Sequence, residues 1–243
     1  MDRVVVEPLA WDSDFWGFPV GMVLAEPGDA RGDDDVAREL DRFRVVQAQV
    51  DLARAGAARE LASHGFFPVD NRLEHELDLR RYYEEGEARE HAPTPPGATW
   101  LTSMERSEAR AYAEQLLPQS RFNAFPVPAS RIVDFYELWI EKAQAGAFDD
   151  GLLHLKIDGA SAGFASTRLR DGVLTMGLIG VDTAFRGGGV FELLLDAMLA
   201  GARRDGARSV TMTTEGINLA ARRSFARHGF RLTRDRLWMY RIR

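Results

Sequence analysis

The sequence predicts an α/β protein whose mixed sheet is flanked by helices and preceded by a smaller, related unit. Two observations predict the sheet. Asp158-Gly159 joins two strand-like segments, which is a strong hairpin signal. After this hairpin, strand-like and helix-like segments alternate to the end of the chain, which is typical of a mixed α/β sheet. A third observation, a repeat described below, predicts the smaller unit.

Composition limits the classes of function. The 243 residues include 31 Lys and Arg and 37 Asp and Glu, a formal net charge of −6, which disfavours nucleic-acid binding because that binding relies on basic surface. Cys is absent, which excludes disulfides, thiolate metal sites and Cys nucleophiles. No apolar stretch approaches the roughly 20 residues of a membrane helix, and Glu7 and Pro8 interrupt the apolar start. We therefore expect a cytoplasmic protein that contacts neither nucleic acid nor membrane.

The first part of the chain, residues 1–83, has its own pattern of short elements. Residues 3–25 predict two strands joined by an aromatic, acidic loop at 11–18. The elements expected next are a helix at 33–41, a strand at 43–52, a helix at 55–64 and an extended segment at 67–79. Gly65 is placed to end the second helix. Residues 84–97 are acidic and then Pro-rich, with little to bury, which predicts a linker.

The second part, residues 98–243, carries the stronger pattern. Apolar residues at helical spacing predict a helix at 131–145: Ile132, Phe135, Tyr136, Trp139 and Ala143. The other predicted helices cover 107–116, a segment after Gly189, and 219–228. The predicted strands cover 99–102, 151–157, 162–169, 173–181, 209–214 and 237–242.

One internal repeat relates the two parts. Eight identities recur without a gap at an offset of 164 residues: Ala57, Arg59, Ala62, His64, Gly65, Phe66, Arg72 and Leu73 match Ala221, Arg223, Ala226, His228, Gly229, Phe230, Arg236 and Leu237. Helices, glycine caps and strands share a few residues by chance. This density of matches instead predicts one helix–turn–strand unit in both parts, with the first part as a degenerate copy.

A glycine-rich turn is the main functional signal. A predicted strand runs into Arg186-Gly187-Gly188-Gly189, and an amphipathic helix follows. Converging backbone N–H groups, the helix amino end and the Arg charge favour a phosphate or pyrophosphate, although many helices follow such a turn without binding one. The Rossmann fingerprint and the Gly-Lys-Ser/Thr of a Walker loop are both missing, which disfavours NAD and nucleoside triphosphates.

A second signal lies about 30 residues later in Asn218-Leu-Ala-Ala221-Arg-Arg-Ser-Phe225-Ala-Arg-His-Gly229-Phe230. Helix capping alone is enough to explain Asn218 and Gly229. Taken together, however, the two segments resemble the GNAT acyltransferase superfamily. A closer likeness, to members that acetylate TDP-linked amino-deoxysugars, spans nearly the whole chain through Trp11-Asp12-Ser13-Asp14-Phe15-Trp16-Gly17, Ser120-Arg121-Phe122, Phe135-Tyr136-x-x-Trp139 and Gly146-x-Phe148-Asp149.

The resemblance implies a GNAT fold, with a mostly antiparallel sheet, and an acetyl-CoA site. Ile179, Gly180 and Val181 would pair with the pantetheine arm, and a backbone N–H of 178–181 would polarise the thioester carbonyl. The remaining residues that the resemblance assigns to acetyl-CoA are Arg186, Gly187, Gly188, Gly189, Val190, Phe191, Asn218, Ala221 and Phe225.

The sequence departs from the family pattern at two positions. Phe191 stands where the family has a small residue, so the turn is remodelled or the match is offset by one residue. Phe225 stands where a Tyr usually protonates the leaving thiolate. Three readings fit Phe225: water, Ser224, His228 or Tyr240 replaces that acid, the thiolate leaves without a specific acid, or the site is impaired. We favour departure of the thiolate without a specific acid. Losing a proton donor slows a reaction by about 10²–10⁴-fold and does not abolish it.

Other polar residues keep two readings. Glu215 follows a predicted strand, at a position that faces a cleft in an open α/β sheet. It acts either as a general base or only as a solvated loop carboxylate. Asp12 and Asp14, with Phe15 and Trp16, either contact a sugar or nucleotide or belong to a loop that buries its aromatic rings. Arg121 pairs with a substrate phosphate or a nearby carboxylate. The five His residues are scattered, so no metal site is expected.

The predicted function is an acetyl-CoA-dependent N-acetyltransferase for a nucleotide-linked, TDP-type amino-deoxysugar, by direct attack of the amine on the thioester. Two alternatives remain: an N-acyltransferase for an unlinked amine, such as an antibiotic or an amino acid derivative, and a catalytically weak acyl-CoA-binding sensor. A homodimer is a family-level expectation.

Overall fold

The structure is a computed structural model that describes residues 3–26, 33–84 and 93–243. Its strands are β1 (Arg3–Pro8), β2 (Val20–Glu26), β3 (Val45–Asp51), β4 (Phe67–Asp78), β5 (Ala98–Leu101), β6 (Gly151–Ile157), β7 (Ala160–Arg170), β8 (Val173–Val181), β9 (Ser209–Glu215) and β10 (Arg231–Ile242). Its helices are α1 (Ala10–Trp16), α2 (Asp33–Leu40), α3 (Ala55–Ser63), α4 (Leu79–Glu84), α5 (Arg106–Leu116), α6 (Ala129–Gln144), α7 (Val190–Arg204) and α8 (Leu219–Arg227).

The ten strands form one mixed sheet in the order β1-β2-β3-β10-β4-β9-β8-β7-β6-β5. Only β2–β3 and β8–β9 pair in parallel, which confirms the predicted mixed, mostly antiparallel sheet. Helices cover both faces: α7 and α8 pack with one core cluster, while α6 packs with another on the opposite face. The hairpin prediction is confirmed, since Asp158 and Gly159 both have the positive φ that a tight strand-connecting turn requires.

The helix–turn–strand repeat is confirmed with a constant offset. β3, α3 and β4 begin and end 164 residues before β9, α8 and β10, an offset that also separates the hydrogen-bonded pair Asn71 and Asp235. The positive φ of Gly65 and Gly229 turns the chain at the same place in both copies. The last strand of each copy is inserted next to strands of the other copy. β10 of the second copy lies between β3 and β4 of the first, and β4 of the first copy lies between β10 and β9 of the second.

The predicted loop at residues 11–18 is wrong over most of its length, because residues 10–16 form α1. The Ser13 hydroxyl donates to the Leu9 carbonyl and accepts from the Val20 amide, and left-handed Gly17 ends the helix. Trp11 and Phe15 stack at 5.6 Å, one helical turn apart. Single-sequence periodicity misses such a short helix, since its aromatic residues face a tertiary core.

Two boundaries differ from expectation. The last strand begins at Arg231, six residues earlier than predicted, because residues 231–236 pair with β4 despite their polar character. The predicted linker 84–97 falls largely on residues 85–92, outside the described residues, so its role stays a prediction.

Candidate active site

The central feature is an opening between the parallel strands β8 and β9. The two strands pair only from Val173 to Thr175, whereas β9 pairs with β4 on its other side along its whole length, from Ser209 to Glu215. The Asp182 N–H donates to the Ala162 carbonyl on β7. Because backbone groups alternate in direction along a strand, the N–H groups of Ile179 and Val181 point away from β7, into the opening. Gly180 faces β7 and packs against Phe164.

The glycine-rich turn lies at the carboxyl end of β8. Arg186, Gly187 and Gly188 are exposed, and Gly187 and Gly189 have φ values of 78° and 81°, a region that side-chain-bearing residues rarely adopt. α7 begins at Val190 without a side-chain cap from Gly189, so the first turn keeps backbone N–H groups for a ligand. Arg186 Nε donates to the Val181 carbonyl at 3.2 Å, which holds the Arg charge beside the opening. The arrangement suits an anion.

Two aromatic residues connect the turn with α8. The Phe191 ring lies 6.0 Å from the Phe225 ring and 6.5 Å from the His228 ring, so its side chain packs between helices. Phe225 itself is 1% exposed, against Phe230 and the edge of the His75 ring. The position usually held by a Tyr is thus a core position here.

The groups considered as substitutes for that Tyr are separated by the sheet. Ser224 on α8 and His228 just after its end are both buried, and His228 Nδ1 bonds to the Ser224 carbonyl. Tyr240 is fully buried on the opposite face, within the cluster that packs against α6. Asn218 accepts a hydrogen bond from the Ala221 N–H at 3.1 Å, which confirms that it caps α8.

Glu215 ends β9 on the α6 face of the sheet. Burial raises the pKa of Glu215, the charges of Arg121 and Arg72 lower it, and the carboxylate of Asp70 raises it. Burial likewise raises the pKa of Asp12 on α1, against the charge of Arg121. Two half-buried carboxyl groups, one from each part of the chain, therefore share the field of one guanidinium.

Arg121 is held by several groups at once. Its guanidinium lies 4.0 Å from the Trp238 ring and 4.2 Å from the Phe122 ring. Nη1 donates to Gln47 Oε1 at 2.6 Å and to the Tyr240 hydroxyl. These partners are an amide, a hydroxyl and two aromatic rings, so the pairing of Arg121 with a substrate phosphate or a nearby carboxylate stays a prediction.

The α1 residues assigned to substrate differ in placement. Asp14 is exposed, and Phe15 is half-buried beneath the Arg131 guanidinium at 4.1 Å. Trp16 is 5% exposed and stacks on Phe135 at 5.2 Å, so its ring belongs to the aromatic core. Asp12, rather than Asp14, shares the field of Arg121.

Sequence reasoning assigned no site role to three polar residues near the site, although Asp149 belongs to one of the motifs that carry the likeness. Gln47 is 1% exposed and binds Arg121, while Ser166 and Asp149 are buried beside β8. A Gln inside an apolar strand was the available signal for the first. Nothing in the sequence pairs Ser166 with Asp149, because the contact joins β7 to the loop before β6.

These features define the class of protein. Residues 111–230 match the acetyltransferase (GNAT) family, and the chain therefore carries a GNAT acetyltransferase domain and is an enzyme of that class. The dTDP-fucosamine acetyltransferase of Escherichia coli O6:H1 is 27% identical to this chain over 98% of the chain and 99% of its own length.

Solved structures support the same fold. A tandem GNAT protein from the clavulanic acid biosynthesis pathway superposes with a TM-score of 0.62 at 17% identity, covering 93% of this chain and 76% of its own. A GCN5-related N-acetyltransferase from Sphaerobacter thermophilus gives 0.59 at 18% identity, with 92% and 72% covered. In the described part of the chain, no helix has the length and apolar character needed to cross a membrane.

Proposed function

We propose that this acetyltransferase uses acetyl-CoA to acetylate the amino group of a nucleotide-linked amino-deoxysugar. The observation that carries the proposal is the opening between β8 and β9. β8 continues into the exposed glycine-rich turn, and β9 ends at the half-buried Glu215. A long donor and an amine acceptor can thus meet between two strand ends.

The donor half of the site follows from the backbone. The N–H groups of Gly187, Gly189 and the first turn of α7 suit the pyrophosphate of CoA, whereas those of Arg186 and Gly188 donate to the carbonyls of Thr183 and Phe185. The N–H groups of Val181 and Ile179 and the carbonyl of Ile179 offer ladder positions that the pantetheine amides can fill. Ile179 N–H, deeper in the opening, is our candidate donor to the thioester oxygen.

The acceptor half follows from charge. An amine attacks as the neutral form, so a group must take its proton. Burial makes the Glu215 carboxylate a stronger base than an exposed Glu, and Arg121 and Arg72 favour its ionised form. The amine nitrogen forms the bond to the acetyl carbon, the C–S bond breaks, Glu215 receives the amine proton, and solvent protonates the thiolate.

The nucleotide-linked acceptor is supported by a full-length relative and by the site. The 27% identical relative is named for dTDP-fucosamine and aligns over 98% of this chain, including α1. Asp12 on α1 and Gln47 on β3 place polar groups of the first part beside Arg121 and Glu215. We further propose that residues 1–83 are a truncated GNAT-like domain and residues 98–243 the complete one, because β3-α3-β4 repeats β9-α8-β10.

A second candidate function is acyl-CoA binding with weak turnover. The buried phenyl ring of Phe225 favours it, since this group donates no proton to a thiolate. An unlinked amine as the acceptor is the third possibility within the same chemistry.

Titration calorimetry with acetyl-CoA, followed by thiol-release assays with TDP-4-amino-4,6-dideoxygalactose, separates these functions. We expect saturable binding near one per chain and thiol release that depends on the sugar and is inhibited by TDP. Binding without thiol release supports the weak binder, and release from simple amines that TDP does not inhibit supports an unlinked acceptor. No binding of acetyl-CoA overturns the acyltransferase proposal for this site.

A further inference from the structure

Strand β8 contains an irregularity where it separates from β9. Thr167 pairs with Met176 and Ala165 pairs with Ile179, so two residues, Gly177 and Leu178, stand opposite the single Ser166. This is a β-bulge, which bends a strand and increases its local twist. It starts at Gly177, two residues beyond Thr175, the last β8 residue that pairs with β9. The bulge therefore lies close to the point where β8 and β9 separate.

A buried serine holds this bulge. The Leu178 N–H donates to Ser166 Oγ at 2.9 Å, in place of a ladder carbonyl. Ser166 is fully buried, and its hydroxyl donates to Asp149 Oδ2 at 2.6 Å. A hydroxyl has one proton, so donation to Asp149 turns its lone pairs toward Leu178. The orientation of the serine is thus set by the carboxylate behind it.

Asp149 is fixed in turn. It is 5% exposed, and Trp139 Nε1 donates to the same oxygen at 3.3 Å. Gly177 permits this position, because a Cβ at residue 177 would lie 2.3 Å from Asp149 Oδ2. Trp139, Asp149, Ser166 and Gly177 hence form one packed unit around the bulge.

Building on the proposed function, we infer that Ser166 and Asp149 are positioning residues for acetyl transfer. By holding the Gly177–Leu178 bulge they keep β8 apart from β9 and direct the next N–H, that of Ile179, at the thioester oxygen. Neither side chain touches the substrate. Their effect passes through the backbone of β8, as outer hydrogen-bonding partners orient the groups that contact a ligand.

The variant Ser166→Ala removes the hydroxyl without adding volume, and Gly177→Ala displaces Asp149 without removing a polar group. Thr175→Val is the matched control, because the Thr175 hydroxyl also bonds across a strand, to Thr211 Oγ1 at 3.1 Å, but lies outside the bulge. Circular dichroism and the melting temperature establish that each variant is folded.

The measurement is the carbonyl stretch of bound [1-¹³C]acetyl-CoA, by difference infrared spectroscopy, alongside kcat and the Kd for acetyl-CoA. We expect a lower frequency on wild-type enzyme than in solution, and a smaller lowering in Ser166→Ala and Gly177→Ala but not in Thr175→Val. We expect kcat to fall about 10–100-fold in the first two variants, with Kd within about threefold.

Two results overturn the inference: a wild-type band at the frequency of free acetyl-CoA, or equal bands in wild type and Ser166→Ala. A loss of activity that follows only the folded fraction also counts against it. Failure of the proposed function gives a different outcome, because wild-type protein then binds no acetyl-CoA and no bound band exists.

Discussion

Arg72 stands directly opposite Arg236 in the antiparallel ladder of β4 and β10, and the two residues are counterparts in the 164-residue repeat. The pseudo-two-fold axis of the repeat therefore passes through this pair. Arg236 donates to Gln49 at 2.8 Å and Arg72 to Thr213 at 3.4 Å, and these two acceptors are counterparts as well.

Glu74 breaks the symmetry and offsets the repulsion between the two guanidinium groups. Its Oε1 accepts from Arg236 Nη2 at 2.6 Å and from Arg72 Nε at 3.1 Å. Each arginine belongs to a different copy of the repeat, so Glu74 ties together the two strands that the copies exchange. Like charges directly opposite in a sheet otherwise destabilise it.

We predict that Glu74→Ala lowers the free energy of unfolding by about 1–3 kcal/mol, the range for charge-assisted hydrogen bonds lost at a half-buried site. Urea denaturation measures it. Because β4 and β10 are interleaved, unfolding should stay a single transition monitored by circular dichroism and by Trp fluorescence. Glu76→Ala, on the same strand, is the control, because the described contacts of Glu76 include no such hydrogen bonds. An equal decrease in the free energy of unfolding in both variants would contradict the role of Glu74.

Gly188→Leu should abolish CoA binding. A Cβ at residue 188 would lie 3.3 Å from the Phe185 carbonyl, so a Leu side chain adds bulk to a turn that has room only for glycine at the proposed pyrophosphate site. Calorimetric titration with CoA measures the loss, with Gly56→Leu as a control at an open helix position. Unchanged affinity would rule out this turn as the pyrophosphate site.

Glu215→Gln should lower kcat by about 10²–10⁴-fold, the usual contribution of a general base. Because burial raises the pKa of Glu215, the carboxylate form is lost as pH falls through a value above the ordinary Glu value. The activity of wild type should therefore decline on the acid side, and this limb should be absent in Glu215→Gln. An unchanged limb would assign it to another group.

The same substitution should stabilise the fold at neutral pH. The folded pKa of Glu215 lies above its unfolded value, so its contribution to stability is full below the unfolded pKa and is lost as pH rises through the folded pKa. A melting temperature higher for Glu215→Gln at pH 7 than for wild type, with a smaller difference at pH 4, is the expected result.

Arg121→Gln should move the acid limb of kcat/KM to higher pH, because the Arg121 charge lowers the pKa of Glu215. Arg72→Gln should move it in the same direction and by less, since its charge has the smaller effect. Measuring kcat/KM against pH in both variants tests this order. A limb at lower pH in Arg121→Gln would contradict the geometry of the cluster.

Phe225→Tyr should change kcat by less than tenfold, because the ring at this position is buried among Phe191, Phe230 and His75. His75 Nδ1 is buried without a hydrogen-bond partner in the same region of the core. Steady-state thiol release measures kcat for Phe225→Tyr and for wild type. A gain of about 10²-fold or more would show that the native site lacks its acid.

The sequence by itself determined most of the elements and their repeat, with α1 and the start of β10 as the exceptions. Hydrophobic spacing placed β8, α7 and α8, and eight matched residues predicted the shared helix–turn–strand unit, because both signals are local along the chain. The glycine-rich turn and the Asn218 cap could also be predicted, because glycine conformation and helix capping depend on neighbouring residues in the sequence.

Only the tertiary structure decided how the two parts combine. Three features join residues that are distant in sequence. β4 and β10 each lie within the strands of the other copy, Asp12 and Gln47 lie near Arg121, and Asp149 accepts a hydrogen bond from Ser166. Such contacts are set by the packing of the whole sheet, which no local spacing encodes. Packing likewise made Trp16 and Phe225 core residues, although the motifs around them pointed to ligands.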